Sequence, residues 1–201
     1  MFILLLLLLF IFIFKHNIFI TIMKVHIGCG NKNFGNDWYH IDGTSYPHVK
    51  SNNIKNIPFK ENTVDLIYAS HVFEYFDREE ATSVLQIWKK CLKPGGIIRL
   101  AMPNFEQYVK LYTEKILCLN DFIGPLYGKW KMDENTTIYH KTTYDFNSLY
   151  ELLNNNGFKN IKLWDWKNVE HGHLDDYSQS YIPHMDKDNG SLMSLNIECE
   201  K

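Results

Sequence analysis

The sequence predicts an α/β fold in which helices connect the strands of a mostly parallel sheet. After Met23, short apolar runs alternate with longer stretches of helical periodicity, and this alternation is typical of such a fold. Near the C-terminus, the stretch "SLMSLNIECE" alternates apolar and polar residues. A period of two indicates a strand with one less deeply buried face, which we expect to be antiparallel at one side of the sheet.

The composition fits a single globular domain. The chain has 201 residues, of which 45% are hydrophobic and 22% are charged, and a chain of this length can bury one sizeable core. The formal net charge of −2 gives no general reason to expect nucleic acid or an anionic membrane as partner, since both bind basic patches. We therefore expect no nucleic-acid partner.

Residues 1–22 form an apolar extension ahead of the predicted domain, which covers residues 23–201. The run "MFILLLLLLFIFIF" is interrupted by "KHN" and resumes as "IFITIM", so the combined stretch is just long enough to span a bilayer. It is either a signal-anchor helix or an in-frame extension upstream of a working start at Met23. We favour the second interpretation because strand-like sequence begins directly after Met23.

The cysteines indicate a reducing compartment. Cys29, Cys91, Cys118 and Cys199 are far apart and form no CxxC pair, so we expect free thiols rather than a disulfide framework or a zinc site. This pattern predicts a cytoplasmic protein, and membrane anchoring through residues 1–22 is the alternative.

The helices and strands can be located from their composition and their ends. One helix lies in "FDREEATSVLQIWKKCLKPGG", where Asp77 and Glu80 form a capping box and the Pro-Gly-Gly sequence ends the helix. Another lies in "DFNSLYELLNNNGF", with Asp145 or Asn147 as its N-cap and Gly157 as its left-handed terminator. The predicted strands are, in order, "KVHIGC", "WYHID", "DLIYAS", "GIIRLAM", "NIKLWDW" and "SLMSLNIECE".

Two segments lie outside this regular pattern. Residues 105–145 suggest helices and a loop over one edge of the fold. Five of their aromatic residues could wall a substrate pocket, although the helical spacing of Phe105, Tyr108 and Tyr112 favours the core. These aromatic residues are Phe105, Tyr108, Tyr112, Tyr127 and Trp130. The polar composition of residues 167–190 predicts a long loop. The "HGHLDD" stretch in this loop could ligate a divalent cation, but we favour a solvated loop and predict no metal site.

The main functional signal is the stretch "MKVHIGCGNKNFGNDWYHIDG". Gly28 and Gly30 follow one strand and allow its backbone to approach a ligand closely, while Asp42 at the end of the next strand can bind ribose hydroxyls. This pairing predicts a nucleoside-binding crevice. The link from Gly30 to Asp42 is too short for a full helix, so it lacks the helix N-terminus that cradles phosphate in a dinucleotide site. This absence counts against NAD.

Further motifs follow in order, namely "VHIGCG", "HID", "IPFKENTVDLIYASHVFEY", "CLKPGGIIRLAMPN" and "NNGF". In their order and spacing, the chain resembles the class I S-adenosylmethionine-dependent methyltransferases, most closely the methyltransferase type 11 group, over about residues 24–165. The resemblance implies a Rossmann-like methyltransferase fold, S-adenosylmethionine as cofactor, and methyl transfer to an oxygen, nitrogen or carbon of a small molecule.

The resemblance also implies roles for individual residues. Gly28, Cys29 and Gly30 would approach the methionine and ribose of the cofactor, and Asp42 would bind the ribose hydroxyls. The remaining cofactor contacts would come from Asn52 or Asn53 beside the adenine amine, and from Ser70 and His71 beneath the sulfonium.

A base is needed only when the methyl acceptor carries a proton. The candidates are His71 and Glu74 in "SHVFEY", because an imidazole near the cofactor suits proton transfer at neutral pH. More distant candidates are His140, Asn104, His171 and His173. A histidine at a strand end is also often a hydrogen-bonded structural residue, so the catalytic role of His71 is one of two open interpretations.

Two other functions remain open at this stage. The first is a non-catalytic regulatory module that keeps the fold and the cofactor site, and the asparagines at positions 52, 53 and 104 are the features that favour it. The second is an NAD-dependent oxidoreductase, which the short glycine loop disfavours.

Overall fold

The computed structural model describes residues 22–201 and contains the predicted strands and four helices. The helices are α1 Arg78–Cys91, α2 Phe105–Thr113, α3 Leu119–Tyr127 and α4 Phe146–Asn155. The strands are β1 Lys24–Ile27, β2 Trp38–Ile41, β3 Val49–Ser51, β4 Val64–Ser70, β5 Leu92–Pro103, β6 Trp130–Lys131, β7 Thr137–Ile138, β8 Lys159–Leu163, β9 Tyr181–Ile182, β10 Ser191–Leu192 and β11 Ser194–Glu200. The extension predicted at residues 1–22 lies, apart from Ile22, outside the described residues.

Seven of these strands form one mixed sheet in the order β3-β2-β1-β4-β5-β11-β8. The first five are parallel to one another, and β11 is antiparallel to both β5 and β8. The α/β class, the mostly parallel sheet and the antiparallel strand near the C-terminus are therefore confirmed. The strand β3 was missed because its three residues are too few to show a pattern.

The helix ends follow the local sequence as predicted. The side chain of Asp77 accepts hydrogen bonds from the first turn of α1, and Glu80 reaches back to the Asp77 N–H at 3.2 Å. At α4, the Asp145 carboxylate accepts the Ser148 N–H at 2.8 Å, so Asp145 rather than Asn147 is the cap. Gly157 follows with φ +74°. All of these caps satisfy backbone groups that a helix end leaves free.

Helices α1 and α4 cover one face of the sheet. Because successive residues of a strand point to opposite faces, Val25 and Ile27 of β1 join this core while His26 points to the other face. The largest side chain of the core is Trp88 of α1, which is fully buried and donates its indole N–H to the Ile54 carbonyl at 3.0 Å. This packing fixes the sheet, and the candidate site lies at one edge of that sheet.

The other face is covered by aromatic and imidazole rings. No helix lies between β1 and β2, as the short link predicted, and residues 164–182 fold back over the sheet instead. We call the resulting set the aromatic layer, which consists of His26, Phe34, Trp38, His40, Tyr68, Trp164 and His171. Within it, the ring centroids of His26 and Phe34 are 4.0 Å apart, and those of Tyr68 and His171 are 4.1 Å apart.

The aromatic layer overturns two sequence-based expectations. Strand β11 does not have a less buried polar face at its N-terminal part, because Ser194 and Asn196 are both 3% exposed and the Asn196 amide donates to the Ser178 carbonyl at 2.9 Å. The "HGHLDD" stretch is not simply solvated, since His171 is buried in the layer. Within residues 22–201, no group of three or more His, Cys, Asp or Glu side chains is arranged to hold a metal ion.

Of the five aromatic residues that the sequence singles out in the segment 105–145, only Tyr108 has the expected core position. Tyr108 is buried with Leu111 and Phe122 in a small cluster between α2 and α3. The other four of the five are exposed, because α2 and α3 each pack through one face only and Trp130 lies beyond them in the short strand β6. They are Phe105, Tyr112, Tyr127 and Trp130.

The cysteines and helices also bear on the cellular setting. All four cysteines lie within residues 22–201 and are free thiols, as predicted. Of the helices in this part of the chain, none combines the length and the apolar character that a membrane span requires.

Acid is expected to destabilise the fold through the aromatic layer. Burial lowers the pKa of His40 to about 4 and that of His171 to about 3, and it holds the pKa of His26 well below its usual value. The unfolded chain takes up these protons near pH 6.5. The contribution of the neutral imidazoles to stability is therefore complete above about pH 6.5 and is lost as the pH falls through about 4.

The variant His171→Phe tests this expectation. Between about pH 7 and pH 4.5, its free energy of unfolding should fall by about 2 kcal/mol less than that of the wild type, as measured by urea unfolding. His173→Phe is the matched control because His173 is exposed. An unchanged pH dependence in His171→Phe would contradict the assignment.

Candidate active site

The carboxyl ends of β1, β2 and β4 meet at one edge of the sheet, because these strands are parallel neighbours. Asp42 follows β2 there and is 7% exposed. Its two carboxylate oxygens accept the backbone N–H of Gly30 and of Thr44, each at 2.7 Å. Each oxygen keeps further acceptor capacity, so the carboxylate can also receive the two hydroxyls of a ribose.

The two glycines of the β1 loop play different roles. At Gly28, with φ +68°, an added Cβ would lie only 1.8 Å from a methyl carbon of Val72, so this position requires glycine for packing. At Gly30, with φ +52°, an added Cβ would meet no atom within 4 Å. The space in front of Gly30, next to the Asp42 carboxylate, is therefore open, and these residues fit a nucleoside cofactor.

Cys29 contributes backbone rather than chemistry. Its sulfur lies 3.6 Å from the Nε2 atom of His48, and the side chain is buried. Burial raises the pKa of this thiol to about 12, so it stays protonated at neutral pH and is a poor nucleophile.

The two asparagines predicted beside the adenine have separate partners. The Asn52 amide donates to the Asp42 backbone carbonyl at 2.9 Å, which places this side chain next to Asp42. The Asn53 side-chain oxygen accepts the N–H of Lys55 at 3.2 Å and of Asn56 at 2.8 Å. Asn53 therefore stabilises its own turn, and Asn52 is the stronger candidate for the adenine side.

The end of β4 brings together three predicted residues. Ser70 has a buried hydroxyl without a hydrogen-bond partner among the described residues. His71 has the left-handed φ of +52°, which is rare for a residue with a side chain. This backbone geometry sets its Nδ1 atom 3.5 Å from the Oε1 atom of Glu74, which is 1% exposed.

His140 reaches the same carboxyl group from the segment between α3 and α4. Its Nε2 atom lies 3.7 Å from the Oε1 atom of Glu74. The neighbouring backbone holds it there, since the N–H groups of Lys141 and Thr142 donate to the Glu74 carbonyl at 2.9 and 3.2 Å. We call His71, Glu74 and His140 the acid–imidazole cluster.

Burial sets the protonation states of the acid–imidazole cluster. It raises the pKa of Glu74 to about 8, lowers the pKa of His71 to about 3, and also lowers the pKa of His140. At pH 7 the carboxyl group is therefore protonated and both imidazoles are neutral. An ionisable group shifted in this way beside a cofactor crevice is typical of acid–base chemistry.

The remaining sequence candidates lie away from the cluster or have structural partners. Asn104 is the N-cap of α2 and accepts the Gln107 N–H at 3.4 Å. His171 belongs to the aromatic layer, and His173 is exposed next to it.

One contact at the site could not be predicted from the sequence. Met132, between β6 and β7, lies against the loop after Asp42, with its sulfur 3.7 Å from the Thr44 hydroxyl. An added Cβ at Gly43 would lie 2.4 Å from the Met132 methyl carbon. The segment after α3 therefore packs against the loop that follows Asp42.

Replacing Glu74 by Gln is expected to stabilise the fold at alkaline pH. Because the folded protein keeps the Glu74 proton up to about pH 8 while the unfolded chain loses it near pH 4.5, the wild type loses stability as the pH rises through this window. The variant should avoid this loss. Its free energy of unfolding, relative to that of the wild type, should therefore rise by about 3 kcal/mol between about pH 5 and pH 8. Urea unfolding at each pH measures this free energy, and Glu151→Gln is the control because Glu151 is exposed. A difference between Glu74→Gln and the wild type that stays constant with pH would contradict the raised pKa of Glu74.

One family model matches part of the chain. Residues 19–100 match the type 11 family model described as "Methyltransferase domain". No curated protein matches the chain.

Several solved structures described as methyltransferases have the same fold as this chain. A SAM-dependent methyltransferase from Archaeoglobus fulgidus superposes with a TM-score of 0.55 at 15% identity, covering 90% of this chain and 86% of that chain. One from Methanosarcina mazei gives 0.52 at 16% identity, with 89% and 92% covered. The 1,6-didemethyltoxoflavin-N1-methyltransferase from Burkholderia thailandensis, with S-adenosylhomocysteine bound, gives 0.50 at 11% identity, with 89% and 70% covered. These matches confirm the predicted Rossmann-like methyltransferase fold.

Proposed function

We propose that this chain, a class I S-adenosylmethionine-dependent methyltransferase in its fold and in its matched segment, is an active enzyme that methylates a small organic molecule. The observation that carries the proposal is the open space at Gly30 beside the Asp42 carboxylate. Bound there, S-adenosylmethionine supplies a methyl group that is already activated by its sulfonium.

The protein's own residues have three tasks in this reaction. Asp42 accepts the ribose hydroxyls, and Asn52 lies on the adenine side of the same loop. Gly28 and Cys29 shape the backbone around the methionine part. At the end of β4, Ser70 and His71 lie beneath the sulfonium, and His71 with Glu74 receives the acceptor. Holding the two reactants in line and excluding water accounts for most of such catalysis.

The acceptor class is supported by the shape of the site and by one neighbour. The acid–imidazole cluster is small and buried, which suits a compact polar group on a small molecule rather than a polymer surface. The Burkholderia thailandensis neighbour is named as an N1-methyltransferase of 1,6-didemethyltoxoflavin, which is bound in that structure. An oxygen, nitrogen or carbon acceptor remains compatible with the fold.

Titration calorimetry of the full chain tests the proposal. S-adenosylmethionine and S-adenosylhomocysteine are expected to bind, and NAD is not, because residues 28–37 contain no helix whose N-terminus could hold a pyrophosphate. NAD binding would favour an oxidoreductase. Absence of binding by a folded sample would overturn the proposal, and binding without turnover on any acceptor would favour the regulatory module.

A further inference from the structure

Tyr177 is an exposed aromatic residue in a turn that is otherwise buried. It is 62% exposed, whereas Ser178 and Gln179, which follow it in the same 3₁₀ turn, are 1% and 2% exposed. A single exposed aromatic residue is ordinary on a protein surface. The role of Tyr177 therefore depends on how firmly its backbone is held and on what its ring faces.

The backbone on both sides of Tyr177 is tied to the central sheet. The Tyr68 hydroxyl of β4 donates to the Asp176 carboxylate at 2.6 Å. On the other side, the Asn196 amide of β11 donates to the Ser178 carbonyl at 2.9 Å. Because these bonds fix the turn in advance, a ligand that packs against the Tyr177 ring does not have to order the backbone that carries it.

The Tyr177 ring lies at the end of β4, beside the acid–imidazole cluster. Its centroid is 5.3 Å from that of the His71 imidazole, and the two rings are tilted by 51°. The next residue after His71, Val72, packs against Gly28, so the end of β4 touches the glycine loop of the cofactor crevice. A molecule held beside the cofactor at this point would meet the Tyr177 ring.

A second phenol ring borders the same place. Tyr75 lies in the short 3₁₀ turn Phe73–Tyr75 after β4, and its ring packs edge-on against the His140 imidazole with centroids 4.6 Å apart. Burial, the Glu74 carboxyl group and the nearness of Tyr177 together raise the pKa of Tyr75 to about 12. The two tyrosines therefore lie near each other, and aromatic and imidazole rings form the surface between them.

This surface presents no free charge at neutral pH. The carboxyl group and both imidazoles of the acid–imidazole cluster are uncharged at pH 7, and Tyr75 keeps its proton. The nearby charged side chains are engaged within the protein, namely Asp175 with Lys187, Asp176 with Tyr68, and Lys141 with Glu80. A carboxylate or a phosphate would lose its water here without gaining a cationic partner. A flat, uncharged ring would instead gain aromatic contacts.

From this geometry we infer that Tyr177 contacts the methyl acceptor and selects a neutral, planar aromatic or heteroaromatic molecule. The acceptor packs against the exposed Tyr177 ring and reaches the His71 side chain, which is 17% exposed. Tyr177 determines specificity and takes no part in making or breaking bonds. This inference rests on the proposed function and narrows its substrate class.

Three matched probes test the inference on the full chain saturated with S-adenosylhomocysteine. 2-Naphthol is neutral and planar, decahydro-2-naphthol is its saturated counterpart, and 2-naphthoate carries a negative charge on the same ring system. We expect 2-naphthol to bind at least about threefold more tightly than either of the others, because aromatic pairs gain more than their buried area provides. NMR of labelled tyrosine rings locates the probe, since the Tyr177 signal, assigned from Tyr177→Leu, should shift on binding.

Variants at position 177 separate the ring from its surroundings. Tyr177→Leu should weaken 2-naphthol binding by about threefold to tenfold and change decahydro-2-naphthol binding by less than about twofold, whereas Tyr177→Phe should keep the wild-type preference. Because the ring is exposed, neither variant should alter thermal unfolding. Tyr150→Leu is the matched control, since Tyr150 is 40% exposed on α4, and it should bind all three probes like the wild type.

Equal affinities for 2-naphthol and decahydro-2-naphthol, tighter binding of 2-naphthoate, or no binding of any probe would overturn the inference. Equal losses for the neutral probes in Tyr177→Leu would do the same. Weaker S-adenosylhomocysteine binding by Tyr177→Leu would show that the ring contacts the cofactor rather than the acceptor. Failure of the folded wild type to bind S-adenosylhomocysteine would overturn the proposed function, whereas normal binding of it without a preference for 2-naphthol would overturn only the assignment of the acceptor.

Discussion

Asp42→Asn is expected to lower the affinity for S-adenosylhomocysteine by about tenfold to a hundredfold. The carboxylate accepts from Gly30 and Thr44 at 2.7 Å each and would accept the ribose hydroxyls at the same time. Hydrogen bonds to a charged acceptor contribute about 1.5 to 3 kcal/mol each. An amide loses the charge, and its NH₂ group would face a backbone N–H that also needs an acceptor.

The experiment separates binding from folding. Calorimetry gives the affinity of Asp42→Asn, and thermal unfolding shows whether the β1 loop still closes on the rest of the domain. Asp37→Asn is the matched control, because Asp37 lies exposed in the loop before β2 and makes the same change of charge. Wild-type affinity in Asp42→Asn would show that the ribose is bound elsewhere.

The parts of the fold that the sequence predicted are those that short stretches determine. The capping box at Asp77 and Glu80 lies within four residues, and so does the cap at Asp145 with Ser148. The strands β1 and β2 are apolar on their helix-covered face, and they are followed by Gly28 and Asp42. These local signals located the edge of the sheet and placed Asp42 next to the glycine loop.

The parts that could not be predicted depend on contacts between distant segments. His171 packs against Phe34 with ring centroids 5.0 Å apart, although nothing near His171 in the sequence indicates an aromatic partner. The same is true of His140, which meets Glu74 only because the segment after α3 folds over the end of β4. Polar residues such as Asn196 predict an exposed face, and a covering segment reverses that expectation by supplying hydrogen bonds.

Gly28 was predicted from the sequence as a position where a ligand approaches the backbone, and the structure adds a packing reason for the same glycine. Gly28→Ala is expected to destabilise the fold by about 3 kcal/mol or more, since it combines a left-handed φ with a side chain forced against Val72. Gly35→Ala has a comparable positive φ but meets no atom within 4 Å, so it should show the backbone cost alone, about 1 to 2 kcal/mol.

A double-mutant cycle distinguishes the two costs. Val72→Ala removes the methyl groups that an alanine at position 28 would strike, so the double variant should recover about 1 to 3 kcal/mol relative to the sum of the single changes. Urea unfolding measures each variant. Gly30→Ala supplies the contrast, because its added methyl group would enter open space and should weaken S-adenosylhomocysteine binding more than stability. Additive effects of Gly28→Ala and Val72→Ala would show that the contact with Val72 does not cause the loss of stability.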